Sequence, residues 1–392
     1  MWSKRSTVHA FSALVAILTV LTAVGCAGCG SAGEVIAGAQ DRTPSAEGDF
    51  EAPDLLPLPS SASLTYRGMT FAHEGYDGQT GYGGASVGPS LDSLAALGIN
   101  AVAIVPYTFM RGPDAPGPLP IPTRLGTERD AAVAHAVGEA HARGWAVLLK
   151  PQIWLGGGHW PGDVDFGRDE DAWQTWLEHY RDYILHYARF AERHQVEALC
   201  LGTELVRATL THPDAWRGIA ADVREVYGGK VTYAANWGEE FENLAFWDAL
   251  DAVGLNSYYP LSRKPDATDA ELHAGARAWM TRANNIAAAA GKPLWLTEVG
   301  YRSAEHAWLN PHAAPEGRPV SEACQRRCYR AMLTATAEAP LLDGMFVWKW
   351  PSYLGRRGGH HWGQDDGTSG AGFTPGGKQA AEVLTAFYRG GS

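Results

Sequence analysis

Two glutamates in this 392-residue chain stand where short apolar runs end. Glu204 follows the run at 198–201, and Glu298 is the last residue of the run at 294–298. Hydrolysis of a glycosidic bond needs two carboxyl groups, one to protonate the leaving oxygen and one to act on the anomeric carbon. Because no other carboxylates end apolar runs so directly, this pair predicts a site that cleaves glycosides.

Polar and aromatic side chains follow the other apolar runs in the same way. The residues predicted there to bind substrate are Lys150, Gln152, Trp154, Thr203, Asn236, Trp237, Asn256, Tyr258, Trp348 and Trp350. Trp160, in the string GGGHWPGD, is added as a loop residue that stacks on sugar. Lys150 has an equal alternative role as a buried ion-pair partner. Strand side chains alternate, so Trp348 and Trp350 are expected to share one side, and one of them to form the floor of the site.

The elements that must position these residues alternate regularly from Tyr66 onward. Short apolar runs are separated by longer amphipathic segments, the pattern of a parallel sheet with helices outside it. The predicted strands are 68–72, 101–107, 146–152, 198–201, 231–235, 252–256, 294–298 and 344–350. The clearest predicted helices are 129–143, 171–193, 213–227, 269–290, 324–337 and 378–388.

Eight such pairs predict an α/β fold, a (β/α)8 TIM barrel that forms a single catalytic domain over residues 64–392. Active sites of this fold lie at the C-terminal ends of the strands, where Glu204 and Glu298 stand. Strands four and seven face each other across such a barrel. A carboxyl separation of about 5–5.5 Å would then give net retention of configuration. No Gly-rich phosphate fingerprint follows the first strand, so a dinucleotide enzyme is not expected.

The strings around the strand ends resemble glycoside hydrolase family 113, the β-1,4-mannanase family. Carboxylates that end strands four and seven are the signature of clan A of the glycoside hydrolases, to which that family belongs. The resemblance covers the chain from Tyr66 to Tyr388. The strings that carry it are LLKPQIW (148–154), CLGTEL (200–205), TYAANW (232–237), SYYPL (257–261), LTEVGY (296–301) and VWKW (347–350).

The resemblance implies a role for each glutamate and a class of substrate. Glu204 is implied to be the acid/base and Glu298 the nucleophile of a retaining, double-displacement reaction. Mannan or a manno-oligosaccharide is the implied substrate, with no metal and no organic cofactor.

Two further positions can be compared with the wider clan. Tyr258 resembles the clan tyrosine that donates a hydrogen bond to the nucleophile, with Tyr259 facing the helices, and the reverse assignment stays open. Many clan members place Asn before the acid/base, where its amide binds the sugar 2-hydroxyl, but here the position is Thr203. Thr203 and Asn236 are the two alternatives for that contact.

Two rival functions remain open on the sequence. The same machinery can act on another β-glycan, such as a glucan or a galactan. The chain can also be a non-catalytic carbohydrate-binding lipoprotein that keeps the barrel and has lost turnover. The presence of both glutamates weighs against the second rival.

Composition favours a neutral substrate. A net charge of −11 repels phosphate backbones and anionic lipid, so nucleic acid is not an expected partner of the domain. Fifteen Trp and fifteen Tyr supply flat amphipathic rings, the kind that stack on sugars. Some belong to the core, since Trp173, Trp176 and Tyr180 recur at helical spacing. A monomer acting on a polysaccharide or oligosaccharide is expected.

The N-terminal segment predicts export. Lys4 and Arg5 precede an apolar run at 11–24 that is too short for a comfortable membrane span, which is the layout of a secretory signal. The string AVGC resembles a bacterial lipobox. Residues 1–25 are therefore predicted to be a lipoprotein signal peptide and Cys26 the lipidated residue, with Cys29 as a weaker acceptor and an ordinary cleaved signal as the alternative. Residues 26–63 predict a flexible tether, and the domain is expected to be lipid-anchored at the cell membrane or outer membrane.

Neither the later cysteines nor the His-containing loop predicts a metal site. Cys324 and Cys328 are four residues apart in a predicted helix, where Cβ atoms lie about 5–6 Å apart. A disulfide needs about 3.5–4.5 Å, so both are expected to be structural thiols. The Gly-rich loop at 353–373 carries two His and two Asp without the spacing of metal ligands, so a flexible rim or lid is predicted.

Overall fold

The eight predicted strands form one closed barrel in the computed structural model, which describes residues 57–73, 80–121, 129–315, 317–354 and 370–390. Neighbouring barrel strands are parallel, and helices surround them, so the predicted TIM barrel is confirmed. The strands are β1 (Tyr66–Ala72), β2 (Ala101–Ile104), β3 (Tyr107–Met110), β4 (Ala146–Leu149), β5 (Gln152–Leu155), β6 (Ala198–Thr203), β7 (Lys230–Asn236), β8 (Val253–Ser257), β9 (Leu294–Val299) and β10 (Leu342–Pro351). The helices are α1 (Val87–Ala95), α2 (Asp130–Ala142), α3 (Glu170–Arg193), α4 (Val206–Thr211), α5 (Pro213–Val226), α6 (Glu239–Asn243), α7 (Asp269–Ala290), α8 (Glu322–Ala335) and α9 (Gln379–Arg389).

The interior of the barrel is filled by a few large side chains among many small ones. Tyr66, Trp295 and Phe346 supply the bulk, and the alanines around them leave the room for it. Gly68 is required by the same packing, because an added Cβ would lie 2.3 Å from the Phe346 ring. The barrel below the strand ends is therefore a packed core, as is usual for this fold.

Helix boundaries follow local capping signals. Thr268 and Glu271 form a capping box at the start of α7, and Gly291 ends it in the left-handed conformation with φ 65°. Those two signals explain why the predicted range, 269–290, matches the observed helix. In α3, Trp173, Trp176 and Tyr180 are buried, as their spacing predicts.

Two predicted strands are each split in two by a proline. The run at 101–107 becomes β2 and β3 around Pro106, and the run at 146–152 becomes β4 and β5 around Pro151. Proline has no backbone N–H, so the ladder of the barrel cannot continue through it. Beyond the break, β3 and β5 pair with each other as a separate parallel ribbon above the barrel.

The last strand contains a β-bulge at the rim of the barrel. Between Met69 and Phe71 of β1, the paired residues of β10 jump from Val347 to Trp350, so β10 carries extra residues there. A bulge interrupts the alternation of side chains between the two faces of a strand. Trp348 and Trp350 consequently do not share one side of β10.

The domain includes Ser61, three residues before the predicted start at 64. Its hydroxyl donates a hydrogen bond to the carbonyl of Phe387 in α9 at 2.7 Å. Cys200, Cys324 and Cys328 are free thiols. Within the described ranges, no helix is long and apolar enough to cross a bilayer. The predicted signal peptide and its acceptor cysteines, most of the tether, and residues 355–369 of the predicted lid lie outside the described residues.

Candidate active site

Both predicted catalytic carboxylates reach one cleft at the C-terminal end of the barrel. Glu204 directly follows β6, the fourth barrel strand, and Glu298 lies at the end of β9, the seventh. The cleft has a volume of about 750 Å³. Its lining combines the two glutamates with aromatic, amide and hydroxyl side chains, among them Tyr107, Gln152, Trp154, Trp160, Thr203, Asn236, Trp237, Tyr258, His312, Trp348 and Phe373.

Glu298 is surrounded by hydrogen-bond donors. Tyr258 donates its hydroxyl proton to Oε2 at 2.7 Å, and the Lys150 ammonium pairs with Oε1. The Gln152 amide lies 3.4 Å from the same Oε1. Donors and a positive charge stabilise the ionised form of a buried carboxyl group, which is the form a nucleophile needs.

Lys150, predicted as a substrate-binding residue, is instead the buried ion-pair partner of Glu298. Its side chain is fully buried and does not line the cleft. The reason is its position at the end of β4, where the residue points into the barrel toward β9. Of the two roles left open for this lysine, the structure shows the ion pair.

Tyr258 and Tyr259 occupy the positions that the clan comparison implies. Tyr258 points into the cleft and bonds to Glu298. Tyr259 stacks on Trp279 of α7, with ring centroids 4.0 Å apart, and so faces the helices.

Glu204 is half-buried and is held by two donors. Asn256 donates to Oε1 at 3.0 Å, and the indole N–H of Trp160 donates to Oε2 at 2.6 Å. Burial, followed by the negative charge of Glu298, raises the pKa of Glu204 from 4.5 to about 7. A carboxyl group with this pKa is protonated in a large share of molecules near neutral pH, as a general acid must be.

Asn256, predicted to bind substrate, is fully buried and acts on Glu204 instead. The hydroxyl of Thr297 donates to its Oδ1 at 2.9 Å, which leaves the amide NH2 to face Glu204. The orientation of the amide is thus determined by its neighbours. Asn256 at the end of β8 and Thr297 at the end of β9 therefore position the carboxyl group of Glu204.

The backbone at Glu204 is strained. Its φ is 53°, in the left-handed region that residues other than glycine rarely adopt. The amide of Glu204 donates to the carbonyl of Ala234 at 2.9 Å, and the amide of Leu205 donates to the hydroxyl of Tyr233 at 2.8 Å. Strain of this kind persists where surrounding bonds enforce it, and it is concentrated at functional sites.

A third carboxyl group, Glu240, lies behind this turn. It is fully buried and accepts hydrogen bonds from the hydroxyls of Tyr233 and Thr209, each at 2.7 Å, and from the amide of Asn236 at 2.6 Å. Burial raises its pKa from 4.5 to about 7. Glu240 therefore links the end of β7 to the residue that follows Glu204. Sequence reasoning missed it because it belongs to a short helix and not to a strand end.

The prediction that Trp350 binds substrate is wrong because of the bulge in β10. Trp348 lines the cleft, whereas Trp350 is buried and donates its indole N–H to Ser90 at 3.1 Å. Of the two tryptophans, only Trp348 reaches the cleft. The other predicted substrate-binding residues line it as well: Gln152, Trp154, Trp160, Thr203, Asn236, Trp237 and Tyr258.

Four aromatic residues of the cleft were not predicted, and one of them is His159, next to Trp160. Tyr107 lies in β3, and Phe373 lies in the loop before α9. His312 lies in the loop after β9, with its ring 5.6 Å from that of Trp237, and burial lowers its pKa. The loop residues gave no signal because they do not directly follow an apolar run. Across the described ranges, no three His, Cys, Asp or Glu side chains cluster as metal ligands.

Comparison with known proteins identifies relatives over most of the chain. The model of Glycoside Hydrolase Family 113 matches residues 69–366. The GH113 beta-mannanase AaManA from Alicyclobacillus acidocaldarius, solved in complex with ManMIm, is 31% identical, with a TM-score of 0.71 over 83% of this chain and 97% of that chain. No curated protein matches the sequence.

Two more distant structures share the fold. A GH113 beta-1,4-mannanase is 24% identical, with a TM-score of 0.70 over 83% of this chain and 99% of that chain. The Glycoside Hydrolase Family 5 mannosidase from Rhizomucor miehei is 13% identical, with a TM-score of 0.60 over 83% of this chain and 92% of that chain.

Proposed function

The chain belongs to Glycoside Hydrolase Family 113, and from its site geometry we propose that it cleaves β-1,4-mannosidic bonds in mannan or manno-oligosaccharides with retention of configuration. The observation that carries the mechanism is the contrast between the two glutamates. Glu204 is half-buried with a raised pKa, whereas Glu298 bonds to a lysine and a tyrosine. One is suited to hold a proton and the other to attack as an anion.

In the first step, a carboxylate oxygen of Glu298 attacks the anomeric carbon while the bond from that carbon to the glycosidic oxygen breaks. Glu204 gives its proton to the departing oxygen, which leaves as the hydroxyl of the released sugar. The product is a covalent ester between Glu298 and the remaining sugar. Tyr258 and Lys150 hold the attacking carboxylate in place.

In the second step, Glu204 is ionised and removes a proton from water. The water oxygen attacks the anomeric carbon, and the ester bond to Glu298 breaks. Two inversions give net retention, and both glutamates return to their starting states. Asn256 and Trp160 hold the Glu204 carboxyl group at the cleft.

The choice of mannan is supported by relatives and not by a bound sugar. The 31% identical structure is described as a beta-mannanase, and its alignment covers 97% of that chain. Glycoside cleavage follows from the family, whereas the sugar is the finer part of the proposal. Mannan, glucomannan, cellulose, xylan and galactan should therefore be offered to the enzyme in parallel, with reducing ends measured. Faster hydrolysis of a polymer without mannose would refute the proposed substrate.

Azide distinguishes the roles of the two glutamates. In Glu204→Ala, azide should attack the sugar ester of Glu298 and give a glycosyl azide of retained configuration. In Glu298→Ala, azide should replace the nucleophile and give the inverted product. Each variant should lose several orders of magnitude in kcat without azide. The matched control is Glu178→Ala on the exposed side of α3, which should keep full activity; interchanged azide products would reverse the assignment.

We also propose that the protein is exported and anchored through acylated Cys26, with the predicted tether ending before Ser61, which already bonds to the domain. The support is the charge and apolar pattern of the N-terminal segment and its AVGC string. Labelled fatty acid should be incorporated by the full chain in a bacterial host and lost in Cys26→Ala. Unchanged incorporation in that variant would point to Cys29.

A further inference from the structure

The ribbon of β3 and β5 has one buried and one exposed face. Side chains alternate along each strand, and the buried face carries Thr108, Met110, Ile153 and Leu155. The opposite face carries Tyr107, Phe109, Gln152 and Trp154. Phe109 is 50% exposed and Trp154 is 53% exposed, which is unusual for aromatic rings on a regular strand.

The three rings on this face form one continuous surface. Phe109 and Trp154 are direct partners in the parallel register, so their strands lie about 4.8 Å apart. Tyr107 meets Trp154 edge to face, with centroids 6.0 Å apart. Phe109 also lies beside Gly156, where an added Cβ would be 3.3 Å from the ring.

This surface is continuous with the catalytic cleft. Tyr107, Gln152 and Trp154 line the cleft, and the Gln152 amide lies 3.4 Å from the Glu298 carboxylate. Strands rise about 3.3 Å per residue, so Phe109 and Trp154 stand about 6.6 Å further along the ribbon than Tyr107 and Gln152. The rings therefore extend the cleft away from the carboxylates.

The chemistry of the face suits an uncharged sugar ring. It carries three aromatic rings and one amide, with no ionisable acid or base that would select a charged ligand. Flat amphipathic rings offer an apolar surface to the C–H face of a pyranose while its hydroxyls stay in water. Exposed aromatic side chains that form one patch commonly mark a binding site.

We propose that Tyr107, Phe109 and Trp154 form an aromatic platform that stacks a further hexopyranose unit of the glycan chain, outside the unit held between the catalytic carboxylates. The inference rests on the proposed function, because the occupant is a distal part of the same substrate. Phe109 and Tyr107 then take part in binding, and the enzyme prefers substrates long enough to reach the platform.

The test is the dependence of kcat/KM on substrate length. Wild type and Phe109→Ala are compared on an aryl β-mannoside and on manno-oligosaccharides of two to six units. The loss in the variant should be at least about tenfold greater on the hexasaccharide than on the aryl glycoside. Phe109→Trp should restore the preference for length. Val320→Ala, which removes another exposed apolar side chain, is the control.

Binding separates failure of the platform from failure of the proposed substrate. Manno-, cello- and xylo-hexaose are titrated into Glu298→Ala and into Glu298→Ala/Phe109→Ala, since neither protein consumes the sugar. Weaker binding of any hexaose in the double variant supports the platform even if wild type does not cleave mannan. Equal binding in both proteins, binding of none, or equal losses at every substrate length would overturn it.

Discussion

The two glutamates proposed to be catalytic differ because their neighbours differ. Glu298 meets the positive charge of Lys150 and the hydroxyl of Tyr258, both of which favour its anion. Among the residues that the structure describes, no cation bonds to Glu204, and burial followed by the negative charge of Glu298 raises its pKa to about 7. Environment alone thus separates an acid from a nucleophile on two identical side chains.

The hydrogen bond from Trp160 to Glu204 should affect the pH at which Glu204 loses its proton. Activity falls as Glu204 loses its proton, so the basic limb of kcat/KM should lie near its pKa of about 7. The indole N–H stabilises the ionised form and lowers that pKa, so Trp160→Phe should move the basic limb to higher pH. Trp154→Phe, which alters a cleft ring without a bond to Glu204, should leave the limb in place. A Trp160→Phe limb that moved to lower pH would contradict this assignment.

Removal of the buried cation should destabilise the fold as well as the reaction. In Lys150→Met, Glu298 loses its partner inside a buried site, and the free energy of unfolding should fall by about 3–5 kcal/mol. Chemical denaturation measures the loss. The double variant Lys150→Met/Glu298→Gln should recover part of it, and Lys264→Met, at an exposed ion pair, should show almost none. If Lys150→Met and the double variant are equally stable, Lys150 and Glu298 are not coupled.

At the scale of elements, the site depends on how strand ends are tied to one another. Glu240 on α6 joins the end of β7 to the hydroxyl of Tyr233, which in turn holds the amide of Leu205 after β6. The left-handed turn at Glu204 sits between these bonds. The geometry of the acid/base is therefore a property of two strands and a short helix together.

Glu240 should make the stability of the fold depend on pH. Its folded pKa of about 7 lies above the ordinary value of 4.5, so it contributes stability that is fully present below pH 4.5 and is lost as pH rises through about 7. Glu240→Gln does not titrate. The difference in unfolding free energy between wild type and this variant should therefore shrink from pH 4.5 to pH 7.5, measured by denaturant titration at each pH. A constant difference would mean that Glu240 is already ionised at the lower pH.

At the scale of the whole molecule, the barrel of a negatively charged chain carries a cleft with few charged side chains. The net charge is −11, yet the cleft lining is mainly aromatic and amide. Long-range attraction consequently has little part in capturing an uncharged sugar.

Substrate capture should accordingly be insensitive to salt. The value of kcat/KM on manno-oligosaccharides should change by less than about twofold between about 50 and about 500 mM NaCl, since screening acts on charges. Steady-state rates at fixed pH test this. A steep fall with salt would contradict capture without long-range electrostatic attraction.

Sequence alone determined the barrel and the placement of two glutamates at its C-terminal end. Eight apolar runs separated by helical segments are local signals, and a carboxylate that directly ends such a run must lie at the C-terminal face once the strands are parallel. For that reason the sequence correctly predicts that Glu204, Glu298 and eight of the proposed substrate-binding residues line the cleft.

Tertiary structure decided which of the remaining strand-end residues line the cleft and which support the carboxylates. Lys150 and Asn256 end apolar runs as the cleft residues do, but neighbouring strands enclose them. The bulge of β10 against β1 places Trp350 in the core. The pairing of β3 with β5 places Phe109 beside Trp154. These outcomes depend on register between strands that are far apart in the chain, whereas periodicity in a sequence reports only on the strand that contains it.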